Sequence, residues 1–173
     1  MKPLIVGLAL IILTMYMLTF QSEMYVDRIE VQKVKFCAEN AANSAMLFFN
    51  QQDFFNGIKK YNVSSGIKAI EKVISQALVT DLNLKPLDNS YWGEKIEYTA
   101  VFFHGDNICQ IYENGSLKQE FSYQFPYLYE DEKTGYKKTI SEPGIIVTID
   151  CGIPKNTGVI GLKACIRSSA YTE

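Results

Sequence analysis

The strongest constraint on this chain is its beginning. From Pro3 to Phe20 the sequence reads PLIVGLALIILTMYMLTF, with no charged residue. A helix needs about 17–25 apolar residues to cross a bilayer, so this run is long enough to span one. A cleavable export signal would carry a shorter apolar stretch ending in a small-x-small pair. Here the exit is Met17-Leu18-Thr19-Phe20-Gln21-Ser22-Glu23, which contains no such pair. The run is therefore expected to be retained as an anchor. Lys2 precedes it while Glu23 and Asp27 follow it, so the positive-inside rule puts the N-terminus in the cytoplasm and the body outside.

The helix is not expected to end at the membrane. No Pro or Gly occurs from Ser22 to Gln52, and Val26, Ile29, Val34, Cys37, Ala41, Ala45 and Phe48 recur at roughly helical spacing. Ala38, Ala41, Ala42, Ser44 and Ala45 make the middle of this segment narrow, which lets another backbone come close. The two parts together predict one rod of about fifty residues and some 75 Å. Asn56-Gly57 reads as its stop, because Gly accepts the left-handed conformation at a helix end. The chain then divides into an apolar helix at 1–21, an amphipathic continuation at 22–56 and an extracytoplasmic head at 57–173.

Within the head, Ser64-Ser65-Gly66 offers an N-cap for a second helix, with Ile67, Ile70, Ile74, Ala77 and Leu78 on one face. The period then changes to two. Ile96, Tyr98, Ala100 and Phe102 alternate with Glu97, Thr99 and Val101 as in a half-buried strand. Cys109 and Ile111 continue a second strand, and Asn114-Gly115 marks a hairpin. A third strand runs from Leu117 to Phe125, a fourth from Ile145 to Cys151 and a fifth within 161–170. Tyr127 to Pro143 reads as a charged loop. The expected fold class is α+β: a long N-terminal helix, a second short helix and an antiparallel sheet of four to five strands. Tyr98, Phe102, Ile111, Phe121, Tyr123, Val147 and Ile149 are expected to bury against the two helices, leaving the other sheet face in water.

Composition narrows the function. The net charge of −2 and pI near 5.5 provide no basic field for nucleic acid. The single histidine, His104, lies two residues from Asp106, yet no nucleophile motif accompanies them. Glu130, Asp131 and Glu132 lack the alternating-oxygen pattern of a calcium loop. No catalytic residue, cofactor motif or metal-ligand set is read from the sequence, and an enzyme is not expected. Asn62-Val63-Ser64 and Asn114-Gly115-Ser116 match the glycan-acceptor pattern, a weak signal. Cys37, Cys109, Cys151 and Cys165 form an even set that suits an exported body, with at least one disulfide expected and Cys109–Cys151 favoured. Tyr127, Tyr129 and Tyr136, unclaimed by the core pattern, either make contacts between heads or simply cover the end of the sheet.

An uninterrupted N-terminal helix, apolar in its first twenty residues, amphipathic afterwards and topped by an antiparallel sheet, resembles the type IV pilin superfamily. The small-residue second half and the helix-helix-sheet order are most similar to pseudopilins and pilin-like subunits of the tight-adherence (Tad) type. The resemblance implies a structural subunit that waits in membrane lipid, then polymerises through its apolar helix into an extracellular pilus or pseudopilus. Its partners would be further copies of itself and related pilin-like subunits, and Leu8, Leu10, Ile11, Ile12, Met15 and Leu18 would form the assembly core. Ile5 stands where processed members usually carry glutamate, as in some tip-located pseudopilins. The alternative reading is a singly anchored extracytoplasmic binding component of a secretion or conjugation machine.

Overall fold

A computed structural model describes residues 2–155 and 166–172. Helix α1, Lys2–Met46, runs for 45 residues without interruption, about 68 Å at 1.5 Å per residue. Beyond Pro3 it contains no proline, and its only glycine is Gly7. The two threonines of the apolar run bond back to the preceding turn, Thr14 to the Leu10 carbonyl at 3.0 Å and Thr19 to that of Met15 at 3.0 Å. Their hydroxyls are thus satisfied without water, as a lipid-facing helix requires.

The rod ends earlier than the Asn56-Gly57 signal suggests. After Met46 the backbone leaves the helix because Phe49 pairs with Tyr61 in an antiparallel bridge. Asn50 N–H donates to the Lys60 carbonyl at 2.8 Å, and Asn62 N–H to that of Phe48 at 2.8 Å. A five-residue helix α2, Gln51–Phe55, sits on this excursion. Asn50 caps its start through the Gln52 N–H, and Gly57, at φ +78°, follows its end. The glycine does stop a helix, but the second one.

Helix α3, Val63–Leu78, is capped one residue ahead of the serines: the Asn62 side chain accepts the Ser65 N–H. It presents Gly66, Ile70, Ile74 and Leu78 inward, a four-residue repeat, while Ala77 is exposed. Gly66 belongs inside the helix because of close packing. A Cβ there would lie 3.2 Å from the Phe102 ring and 3.6 Å from the Ala45 Cβ. Ala38, Ala41, Ala42 and Ala45 are completely buried, and α1 packs through this narrow face on α3.

Strands β1, Glu97–Phe103, β2, Ile108–Glu113, and β3, Ser116–Ser122, form a meander. Strands β4, Tyr127–Asp131, and β5, Tyr136–Ile140, form a separate hairpin. Strands β6, Gly144–Asp150, and β7, Arg167–Thr172, complete a five-stranded antiparallel sheet in the order β3-β2-β1-β6-β7. The fold is α+β, as the sequence indicates.

Both faces of the sheet are covered. Tyr98, Ala100, Phe102, Ile145, Val147 and Ile149 meet α1 and α3, together with Trp92 and Ile96. Val101, Phe103, Cys109, Tyr123 and Ile146 form a second core with Ile140 of β5, over which the β4–β5 hairpin lies. This corrects two expectations. Ile111, Phe121 and Tyr123 belong to the second core, away from the helices. The segment read as a charged loop is a hairpin, turned at Gly135 with φ +68° and closed by a 2.8 Å bond from Gly135 N–H to the Asp131 carbonyl. Its alternation is regular, Tyr127, Tyr129 and Asp131 turned toward the sheet and Leu128 and Glu130 away, but the lysines and acids at its tip obscure it.

Candidate functional site

The head buries α1 from Val34 onward, at Val34, Cys37, Ala38, Ala41, Ala42 and Ala45, and touches it more lightly down to Asp27. Below that, the helix projects. Its apolar run is exposed on every side: Leu8, Leu10, Ile11, Ile12, Met15 and Leu18 are each 55–66% accessible. A helix apolar all round is stable only with lipid or other helices around it. The helix is long and apolar enough to cross a membrane, a property shared by an anchor and a signal sequence. Between run and head, Tyr91 donates a hydrogen bond to Asp27 and ties the lower loop of the head to the helix.

A second apolar surface lies at the opposite end of the rod. Phe48, Phe49, Phe54 and Phe55 share the excursion between α1 and α3, and Phe49 and Phe54 have ring centroids 5.0 Å apart. Phe55 is 86% accessible and Leu47 76%. The backbone here is paired and capped, so the aromatic residues are displayed by an ordered loop. The sequence reading missed this site, although FFNQQDFF, four phenylalanines in eight residues, announces it.

His104 anchors that loop. Its Nδ1 accepts the Tyr61 N–H at 3.1 Å, which places the proton on Nε2, 3.3 Å from Gln110 Oε1. The ring stacks on Phe102 at 12° and is only 2% accessible. Burial pushes its pKa below the usual histidine value, against the raising effect of the Gln110 hydrogen bond and Asp106. Asp106 instead pairs with Lys60 at 2.9 Å. Partial burial raises the Asp106 pKa, but the Lys60 hydrogen bond and charge outweigh it and hold the carboxyl below its normal range. With one nitrogen spent on backbone and the other on an amide, His104 is a structural link between β1 and the aromatic loop.

The acidic run is equally engaged. Glu130 pairs with Lys137 at 2.7 Å, and Asp131 accepts from Lys133 N–H, Thr134 Oγ1 and Thr148 Oγ1. No group of metal-ligating side chains occurs among the described residues. Asn62 and Asn114 are exposed, but both side-chain oxygens serve the fold: Asn62 caps α3, and Asn114 accepts the Tyr98 N–H at 3.0 Å.

The favoured Cys109–Cys151 pairing does not form. Cys109 stands opposite Phe103, which stands opposite Gly144, whereas Cys151 follows Asp150, the partner of Glu97. Seven steps along β6 separate the two levels, roughly 23 Å, against the 7 Å that a bridge can span. The two thiols also belong to different cores. No disulfide joins described residues, and Cys37 and Cys109 are free thiols whose burial pushes each pKa up to about 12. Cys165 lies outside the described residues. Tyr127, Tyr129 and Tyr136 are half-buried and line the second core, with Tyr127 and Tyr129 each 5.9 Å from the Phe103 ring. They cover one face of the sheet, and each keeps part of its ring accessible.

No model of a known protein family, no curated protein and no solved structure matches this chain.

Proposed function

We propose that the chain is a structural subunit of an extracellular pilus or pseudopilus, similar in kind to the Tad-type members of the type IV pilin superfamily. The observation that carries this reading is the division of α1: one continuous helix whose upper part is welded to the head and whose lower part is apolar all round and wholly uncovered. Lipid covers the lower part first, and the same surface of neighbouring copies covers it in the filament. The head is then carried outside, with the N-terminus on the cytoplasmic face before assembly. Electron microscopy of sheared surface material, with antibody to the head, tests this. Labelled filaments are the expected result, and label confined to the membrane would overturn it.

The alternative, a singly anchored binding component of a secretion or conjugation machine, draws on the aromatic loop displayed far from the membrane. It requires the apolar run of each copy to remain in lipid. Cross-linking between copies within residues 4–20 separates the two readings.

A further inference from the structure

The rod bears exposed apolar surface at both ends, and the two ends have matching chemistry. Residues 4–20 carry no charge, and the segment Leu47–Ile58 carries one, Asp53, already bonded by Asn50 Nδ2 at 2.7 Å. The six apolar side chains of the distal loop expose on the order of 600 Å². That is less than the roughly 800 Å² per partner of a stable complex. Such a patch holds a partner only when the partner is already delivered to it, as copies in one membrane or one filament are.

Resting on the filament reading, we propose that the distal phenylalanine loop of one copy docks on the apolar run of another copy that has advanced out of the bilayer. The rod sets the register. About 34 residues of α1 separate the middle of the run from the end of the helix at Met46, where the loop begins, some 51 Å along the helix. Two copies at the same height in a membrane cannot make this contact. A copy displaced outward by about that distance brings its run level with the loop of the copy still anchored, just where the run has lost its lipid. The contact joins different surfaces on the two copies, so it propagates instead of closing on itself.

Incorporating a photoreactive benzoyl-phenylalanine at position 55 of the full-length protein in its native membrane tests the register. The expected product is a covalent dimer whose second peptide falls within residues 4–20. No dimer, a loop-to-loop dimer, or cross-links confined to lipid or another protein would each overturn the proposal. The same probe at position 12 tests the filament reading separately. If position 12 links copies and position 55 does not, assembly stands and the docking fails; if neither does, both fail. The double change Phe54→Ser, Phe55→Ser alters only exposed side chains, so the melting temperature should hold. Cross-links from position 12 to residues 47–58 should fall at least tenfold, and an unchanged yield would refute the role of the loop.

Discussion

Replacing Gly66 by alanine sets helix propensity against packing, with opposite signs. In a helix interior alanine is favoured over glycine by about 1 kcal/mol, and a buried methyl adds roughly 0.8 kcal/mol. Propensity and burial alone therefore predict a more stable protein. The structure predicts the reverse. The new Cβ would stand 3.2 and 3.4 Å from two atoms of the Phe102 ring and 3.6 Å from the Ala45 Cβ. That ring has no room to yield, being stacked on His104 and edge-on to Tyr112, with Tyr61 beside it. Helix α3 must back away from β1, the Ala45 approach being an ordinary contact. Overpacking costs about 1–3 kcal/mol. With the ring held in place it takes the upper end, about 3 kcal/mol against a gain of roughly 1.8 kcal/mol. The expected net loss is about 1 kcal/mol, or roughly 2–4 °C in melting temperature for a chain of this size. Near-UV circular dichroism of the detergent-solubilised full chain reads it directly. Shortening the ring with Phe102→Leu should convert the Gly66→Ala effect to neutral or stabilising, a non-additivity that identifies the contact. A melting temperature that rises in the Gly66→Ala protein would refute the packing argument.

Three further outcomes follow from particular side chains. His104 is held neutral by burial, so the unfolded chain binds more protons than the folded one. Stability should be full above the unfolded pKa of about 6.5 and decline as pH falls through it; a urea midpoint constant from pH 7.5 to pH 5 would contradict this. Cys37 and Cys109 should resist thiol reagents in the native protein, and at least two thiols should react on unfolding without reductant; fewer than two would show that one of them is bridged. On the membrane reading, Ile11→Lys should cost about 2.5–3.5 kcal/mol at the bilayer midplane and reduce the carbonate-resistant membrane fraction; normal retention would argue against a spanning role.

Much of the architecture is legible because local signals and tertiary demands agree. The apolar run, the alanine face of α1, the apolar face of α3 and the Asn114-Gly115 turn each specify the element that forms. The failures come from non-local pairing. Nothing near Met46 forbids another helical turn; the helix stops because Phe49 finds Tyr61, twelve residues away. Val101 reads as the outward side of β1 only if the sheet has one apolar partner. Its second partner, the β4–β5 hairpin, was concealed by lysines and acids around a regular Tyr-x-Tyr alternation. The cysteines misled for a geometric reason, since strand pattern gives the face of a residue but not its height along the sheet. The aromatic loop is legible in composition, as FFNQQDFF, but follows neither helical nor strand periodicity.

The unbroken course of α1 also makes the protein a lever. No proline or glycine softens the helix between the apolar run and the head, and the Tyr91–Asp27 bond braces the junction. A tilt of the apolar end is passed to the head as a rotation of the whole body. Over about 68 Å, a 10° change in tilt swings the aromatic loop by some 12 Å. On the membrane reading, lipid thickness or the insertion of a neighbour, each acting on the first twenty residues, would thus be reported as a large displacement at the far end of the rod.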